Sequence, residues 1–94
     1  MIKTSDPQIK ENIKHRLSRI EGQVRGVQKM IDGERDCREI LQQLIAIREG
    51  IQSASLTFMQ EVAKDCLINP EGQLDPEAQR ELMAELIQML GKIS

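Results

Sequence analysis

The chain is almost without aromatic side chains: Phe58 stands alone, with no Trp and no Tyr. Its core must therefore be built from Leu, Ile, Val, Met and Ala. No apolar run approaches the length of a membrane span. The N-terminus reads Met-Ile-Lys-Thr-Ser-Asp-Pro, with no apolar stretch behind it of the kind a targeting signal carries. A cytoplasmic protein with no membrane partner is the expectation. There is one histidine, His15, and there are two cysteines, Cys37 and Cys66. In a reducing compartment such a pair is more often reactive or metal-binding than a structural bridge. A thiol enzyme would need a Cys-x-x-Cys pair or a neighbouring acid/base group. Neither is found, so no enzyme and no cofactor are expected.

With 94 residues the chain suffices for one domain, taken as residues 1–94. A chain this short buries little surface alone, and oligomers, metals or disulfides commonly add the missing stability. The net charge of −2 hides an asymmetry. Residues 1–33 carry seven basic groups (Lys3, Lys10, Lys14, Arg16, Arg19, Arg25, Lys29) against four acids, and the remainder carries six against eleven. The first segment is a candidate for contact with a polyanion, although charge alone favours the plainer reading of a solvated helix face.

Three helical segments account for the pattern, with no strand signal, internal repeat or low-complexity tract. Asp6-Pro7 gives an N-cap and a first-position proline. Ile9, Ile13, Leu17, Ile20, Val24, Val27 and Ile31 then follow at heptad-like spacing, a narrow seam for another helix. Gly22 and Gly26 interrupt this helix, and each costs about 1 kcal/mol of helix propensity relative to Ala. Close approach of a neighbouring helix would compensate. Gly33 is the expected C-cap. A second helix begins at Asp36, with Glu39 placed for a capping box, and runs to near Ile68, where Asn69-Pro70 and Gly72 break it. Its broad apolar stripe suits burial on more than one side. Asp75-Pro76 opens a shorter third helix.

Cys37 and Cys66 are 29 residues apart. On one unbroken helix they share a face but lie about 43 Å apart along the axis. A disulfide requires Cα atoms within about 7 Å. The two thiols can meet across a two-fold axis, if the second helix pairs antiparallel with its symmetry mate. Three readings of the pair stay open. In the first, each cysteine is a small buried hydrophobe. In the second, the pair is a reactive thiol and its resolving partner, since Cys37 lies in a first helical turn between Arg35 and Arg38, where dipole and cations favour thiolate. In the third, two thiolates hold a soft ion such as Cu(I) or Zn. A third ligand one turn before Cys66 would fall at position 62, which is Val62.

Residues 15–27, His-Arg-Leu-Ser-Arg-Ile-Glu-Gly-Gln-Val-Arg-Gly-Val, together with a cysteine at each end of the second helix, closely resemble the CsoR/RcnR family of bacterial repressors. The resemblance implies an all-α, three-helix protomer, an antiparallel four-helix-bundle dimer and a tetramer formed as a dimer of dimers. It implies operator DNA as partner, released when the intersubunit site is occupied. Copper sensors of the family place His four residues before the second cysteine, where this chain has Val62. The nickel and cobalt sensors add histidines absent here, and the formaldehyde sensors pair the first cysteine with a different set. A Cys–Cys pair without that His resembles the CsoR-like sulfurtransferase repressors, with reactive sulfur species as partners and Cys37 and Cys66 as persulfide-sensing thiols. A copper(I)-sensing repressor is the alternative within the family. A helical scaffold is the alternative outside it, accounting for the seams but not the thiols. No metal ligand set is assigned. No helix-turn-helix or zinc-finger spacing is present, so DNA contacts would come from a flat oligomer face. Lys14, Arg16, Arg19 and Arg48 are the candidates, mainly for phosphates.

Overall fold

The computed structural model describes residues 6–64 and 75–93. Three helices follow in chain order: α1 (Pro7–Asp32), α2 (Cys37–Ala63) and α3 (Pro76–Ile93). No strand occurs among the described residues. The expected end of the second helix near Ile68 lies outside them.

Aspartates start all three helices. Asp6 Oδ1 accepts the Gln8 N–H, Asp36 Oδ1 the Arg38 N–H and Asp75 Oδ1 the Ala78 N–H, each at 2.8 Å. These are N-cap bonds that satisfy otherwise orphaned donors. The reciprocal half of the expected capping box does not form. Glu39 Oε2 instead accepts from Arg35 Nε at 3.1 Å and from Nη2 at 2.8 Å. A charge-assisted bond from a guanidinium is stronger than one from a neutral backbone N–H, and Arg35 stands four residues before Glu39.

The helix α1 ends as expected, with Gly33 as its C-cap. Gly33 keeps a negative φ of −84°, and it is Glu34 that adopts the left-handed conformation, φ 54°. The Glu34 N–H donates to the Ile31 carbonyl at 3.2 Å, and the Arg35 N–H to the Met30 carbonyl at 3.0 Å. This is a Schellman termination with Glu34 in the position usually given to glycine.

The turn at residues 33–36 sends α2 back antiparallel to α1. Ile20 accordingly packs beside Gly50, and Arg16 reaches Ser53. Gly50 is the glycine of close helix approach: a Cβ there would stand 3.7 Å from Ile20 Cγ1. At Gly22 and Gly26 an added Cβ would meet nothing within 4 Å, so no described part of this chain accounts for them as close contacts.

The heptad seam of α1 splits in two. Val27 is buried and Ile13 and Ile20 are half-buried, a set spaced by seven that faces α2. Leu17, Val24 and Ile31, also spaced by seven, remain exposed. On α2, Ile47 and Ala54 are buried while Leu41, Leu44, Ile45 and Ile51 are exposed. From α3, Leu82 is buried. An apolar groove of about 750 Å³ runs between the helices, lined among others by Leu17, Ile51, Phe58, Met59, Val62, Leu86 and Met89. The molecule is elongated, 55 × 27 × 17 Å, with a radius of gyration of 17.3 Å. A compact chain of this length would have a radius of about 12 Å.

Candidate nucleic-acid interface and thiol site

Heptad-like packing leaves the face of α1 beside the seam polar. Asn12, Arg16, Arg19 and Gln23 follow one another there at spacings of three and four, and so share a face, with His15 at its edge beside Arg16. Together with Ile20, and with Gly50 and Ser53 of α2, they line a groove of about 410 Å³. Arg16 Nη1 lies 3.4 Å from Ser53 Oγ, within reach to donate. No carboxylate lines this groove.

Of the four basic candidates, Arg16 and Arg19 are thus brought together. Lys14 is exposed on α1 but does not line the groove. Arg48 lies five residues before Ser53, about 140° around α2 from it. It lines a different groove, between α2 and α3, with Gln52, Ser55 and Lys92. Sequence reasoning did not single out Asn12, Gln23, Ser53 or Lys92. The i, i+4, i+7, i+11 spacing of Asn12, Arg16, Arg19 and Gln23 was the available signal for two of these, whereas Ser53 and Lys92 join only through tertiary packing. The ion pairs described are Arg25–Glu21 at 3.8 Å, Arg35–Glu39 at 2.8 Å and Arg38–Asp36 at 3.6 Å. Lys14, Arg16, Arg19 and Arg48 have no carboxylate partner among the described residues, which leaves their charge for an external anion.

Cys37 is the first residue of α2 and is exposed. Both flanking arginines carry a carboxylate partner, Arg35 with Glu39 and Arg38 with Asp36, so neither guanidinium stands as a bare charge beside the thiol. Cys66 lies outside the described residues. The described helix nevertheless constrains how the thiols can pair. Cys37 to Ala63 is 26 helical steps, about 39 Å. Three further residues span at most about 11 Å, so the chain cannot return to Cys37 within residues 64–66. A bond between Cys37 and Cys66 must join two chains while α2 is intact.

Val62, half-buried, lines the apolar groove with Phe58 and Met59. No group of three or more His, Cys, Asp or Glu able to hold a metal occurs among the described residues. His15 lies 17 residues before the end of α1, about 26 Å along the axis from the turn that leads to Cys37. It is not a ligand partner of Cys37 within one protomer.

A family model for metal-sensitive transcriptional repressors matches residues 9–92, nearly the whole chain. This chain belongs to that family. The copper-sensing transcriptional repressor CsoR of Bacillus subtilis is 33% identical over 85 residues, covering 90% of this chain and 81% of that protein. The transcriptional repressor RcnR of Salmonella typhimurium is 38% identical over 72 residues, covering 77% and 76%. Among solved structures, a variant of the formaldehyde-responsive regulator FrmR from Salmonella enterica serovar Typhimurium superposes with a TM-score of 0.79 at 29% identity, over 97% of this chain and all of that one. The three-helix architecture is therefore that of CsoR/RcnR-type repressors. These relatives are regulators of transcription, not enzymes. No described helix is long and apolar enough to cross a membrane.

Proposed function

We propose that this repressor binds operator DNA as an oligomer and is released when Cys37 of one chain and Cys66 of another react with a persulfide or polysulfide. The observation that carries the reading is the exposed Cys37 at the head of an unbroken α2, because that helix makes any Cys37–Cys66 bond intermolecular. The Cys37 thiolate attacks the outer sulfur of a persulfide, R–S–SH, and the thiolate R–S⁻ leaves. The Cys66 thiolate of the second chain then attacks Cys37 Sγ itself, the inner sulfur of the new persulfide, and expels the outer sulfur as HS⁻. Two thiols are oxidised to a disulfide, and the sulfane sulfur is reduced to sulfide. Polysulfides give longer bridges by the same attack. The bridge need only favour a subunit arrangement that fits DNA poorly; a coupling of 1–3 kcal/mol changes affinity about 5- to 150-fold. Lys14, Arg16, Arg19 and Arg48 are the proposed phosphate contacts.

Copper(I) sensing is the second reading, favoured by the copper-sensing relatives CsoR and RicR. Two thiolates suit Cu(I), and Val62 supplies no third donor at the position one turn before Cys66. Intact-mass analysis after separate treatment with a persulfide donor and with Cu(I), with DNA release followed in parallel, distinguishes the two. The persulfide reading predicts added sulfur or a covalent dimer together with release, and weak release by copper. Val62→His should then raise Cu(I) affinity. Strong copper-driven release by the unmodified protein overturns persulfide sensing in favour of the metal.

A further inference from the structure

We propose that Glu61 competes with DNA for Arg16: its carboxylate takes the guanidinium when no phosphate holds it, and so lowers the affinity of the free repressor for DNA. The proposal rests on the reading of the chain as a DNA-binding repressor with Arg16 among its phosphate contacts. It adds an intramolecular contact that opposes binding.

Arg16 stands on the wall between two cavities. On one side is the groove of about 410 Å³ that it shares with Arg19 and Ser53, without a carboxylate. On the other is a pocket of about 220 Å³ that Asp6, Thr57 and Glu61 help to line. Arg16 lines both. Among the described residues its guanidinium has one contact, from Nη1 to Ser53 Oγ at 3.4 Å. That is long for a hydrogen bond, and a neutral hydroxyl leaves the charge unbalanced. Ser53, Thr57 and Glu61 follow at spacings of four and so form one row along α2. A guanidinium that leaves Ser53 along this row toward Thr57 approaches Glu61.

The two carboxylates of the pocket differ in how far they are committed. Asp6 is tied to the start of α1, where its Oδ1 accepts the Gln8 N–H at 2.8 Å. The Glu61 carboxylate has neither a hydrogen bond nor a cation among the described residues. Glu61 is half-buried, and a charge partly withdrawn from water is stabilised by an opposite charge alongside. Arg16, also half-buried, is the one cation among the described residues that line this pocket. A phosphate on the open side and Glu61 on the other therefore draw on the same guanidinium. The Arg16–Glu61 pair must break before Arg16 meets a phosphate, and the cost of breaking it is subtracted from the free energy of binding DNA.

The test is a double-mutant cycle on the full reduced chain, with a labelled mixed-sequence DNA duplex at low salt, because phosphate contacts do not depend on sequence. Glu61→Gln should raise DNA affinity by up to about fivefold for each Arg16 engaged, the range of a partly exposed ion pair. Removing any acid near the DNA also acts through its field, so two comparisons separate contact from field. In an Arg16→Gln background the gain from Glu61→Gln should vanish. Glu49→Gln removes an exposed carboxylate one turn before Ser53 that lines neither cavity, and should give a smaller gain. Circular dichroism confirms that the variants are folded. No gain from Glu61→Gln, a gain that persists undiminished without Arg16, or an equal gain from Glu49→Gln overturns the competition while leaving the repressor reading intact. A loss of affinity in Glu61→Gln overturns it too, since Glu61 would then orient Arg16 toward the phosphate. Failure of the unmodified protein to bind DNA at low salt overturns the repressor reading and this proposal with it.

Discussion

At the scale of single residues, the thiol chemistry depends on which sulfur each cysteine can reach. Cys37 begins α2 with an exposed thiol, and a helix of about 39 Å separates it from Ala63. Persulfide treatment should therefore give a dimer on a non-reducing gel. Cys37→Ser should abolish both cross-link and response. Cys66→Ser should leave Cys37 able to take up sulfur but unable to close the native bridge. A mixture of the two single variants should recover part of the cross-link, because each mixed dimer keeps one complete Cys37/Cys66 site. All variants should bind DNA when reduced. Peptide mapping that finds the bond within one chain would refute the intermolecular site.

At the scale of elements, helix starts are local events and helix ends are less so. The Asp-Pro pairs at 6–7 and 75–76 and the lone Asp36 announce their caps because the side chain bonds a backbone N–H two or three residues on. All three helix starts were legible for that reason. Where α1 stops was legible too, at its C-cap Gly33, but which residue turns left-handed was not. The left-handed position depends on where the last helical carbonyls find donors, and the chain puts Glu34 there, not Gly33. A non-glycine residue in this conformation costs about 1–2 kcal/mol. Glu34→Gly should accordingly stabilise the protein by about 1 kcal/mol, read as a higher midpoint in urea with an unchanged slope; a lower midpoint contradicts the Schellman assignment. Interactions between elements were harder to foresee. Gly22 and Gly26 drew attention as interruptions of a helix, whereas the glycine against a neighbouring helix is Gly50. Likewise Arg16 and Arg19 share a groove because both lie on one face of α1. Arg48 falls into another because its angle around α2 is set by how α1 packs, which spacing alone does not fix.

At the scale of the whole molecule, one chain leaves its hydrophobic pattern half used. Val27, Ile47, Ala54 and Leu82 are the buried apolar side chains among the described residues, while the parallel sets Leu17/Val24/Ile31 and Leu44/Ile51 face outward. Each set repeats every seven residues, the period of helix-to-helix packing, so an additional helix is the natural occupant. A second copy supplies one without any further partner. A two-fold arrangement would set the exposed stripe of one α2 against that of its mate and reverse their directions, as the intermolecular thiol pair also requires. Substituting a charge into this stripe should therefore separate the chains. Ile51→Asp is expected to shift sedimentation toward the monomer and to lower thermal stability together, because protomer folding and assembly share the same apolar surface. Leu44→Asp, seven residues earlier on the same stripe, should act in the same direction. DNA binding and persulfide cross-linking should fall with the oligomer in both variants. An unchanged oligomer carrying either charge would mean that the exposed seam of α2 does not form the subunit contact.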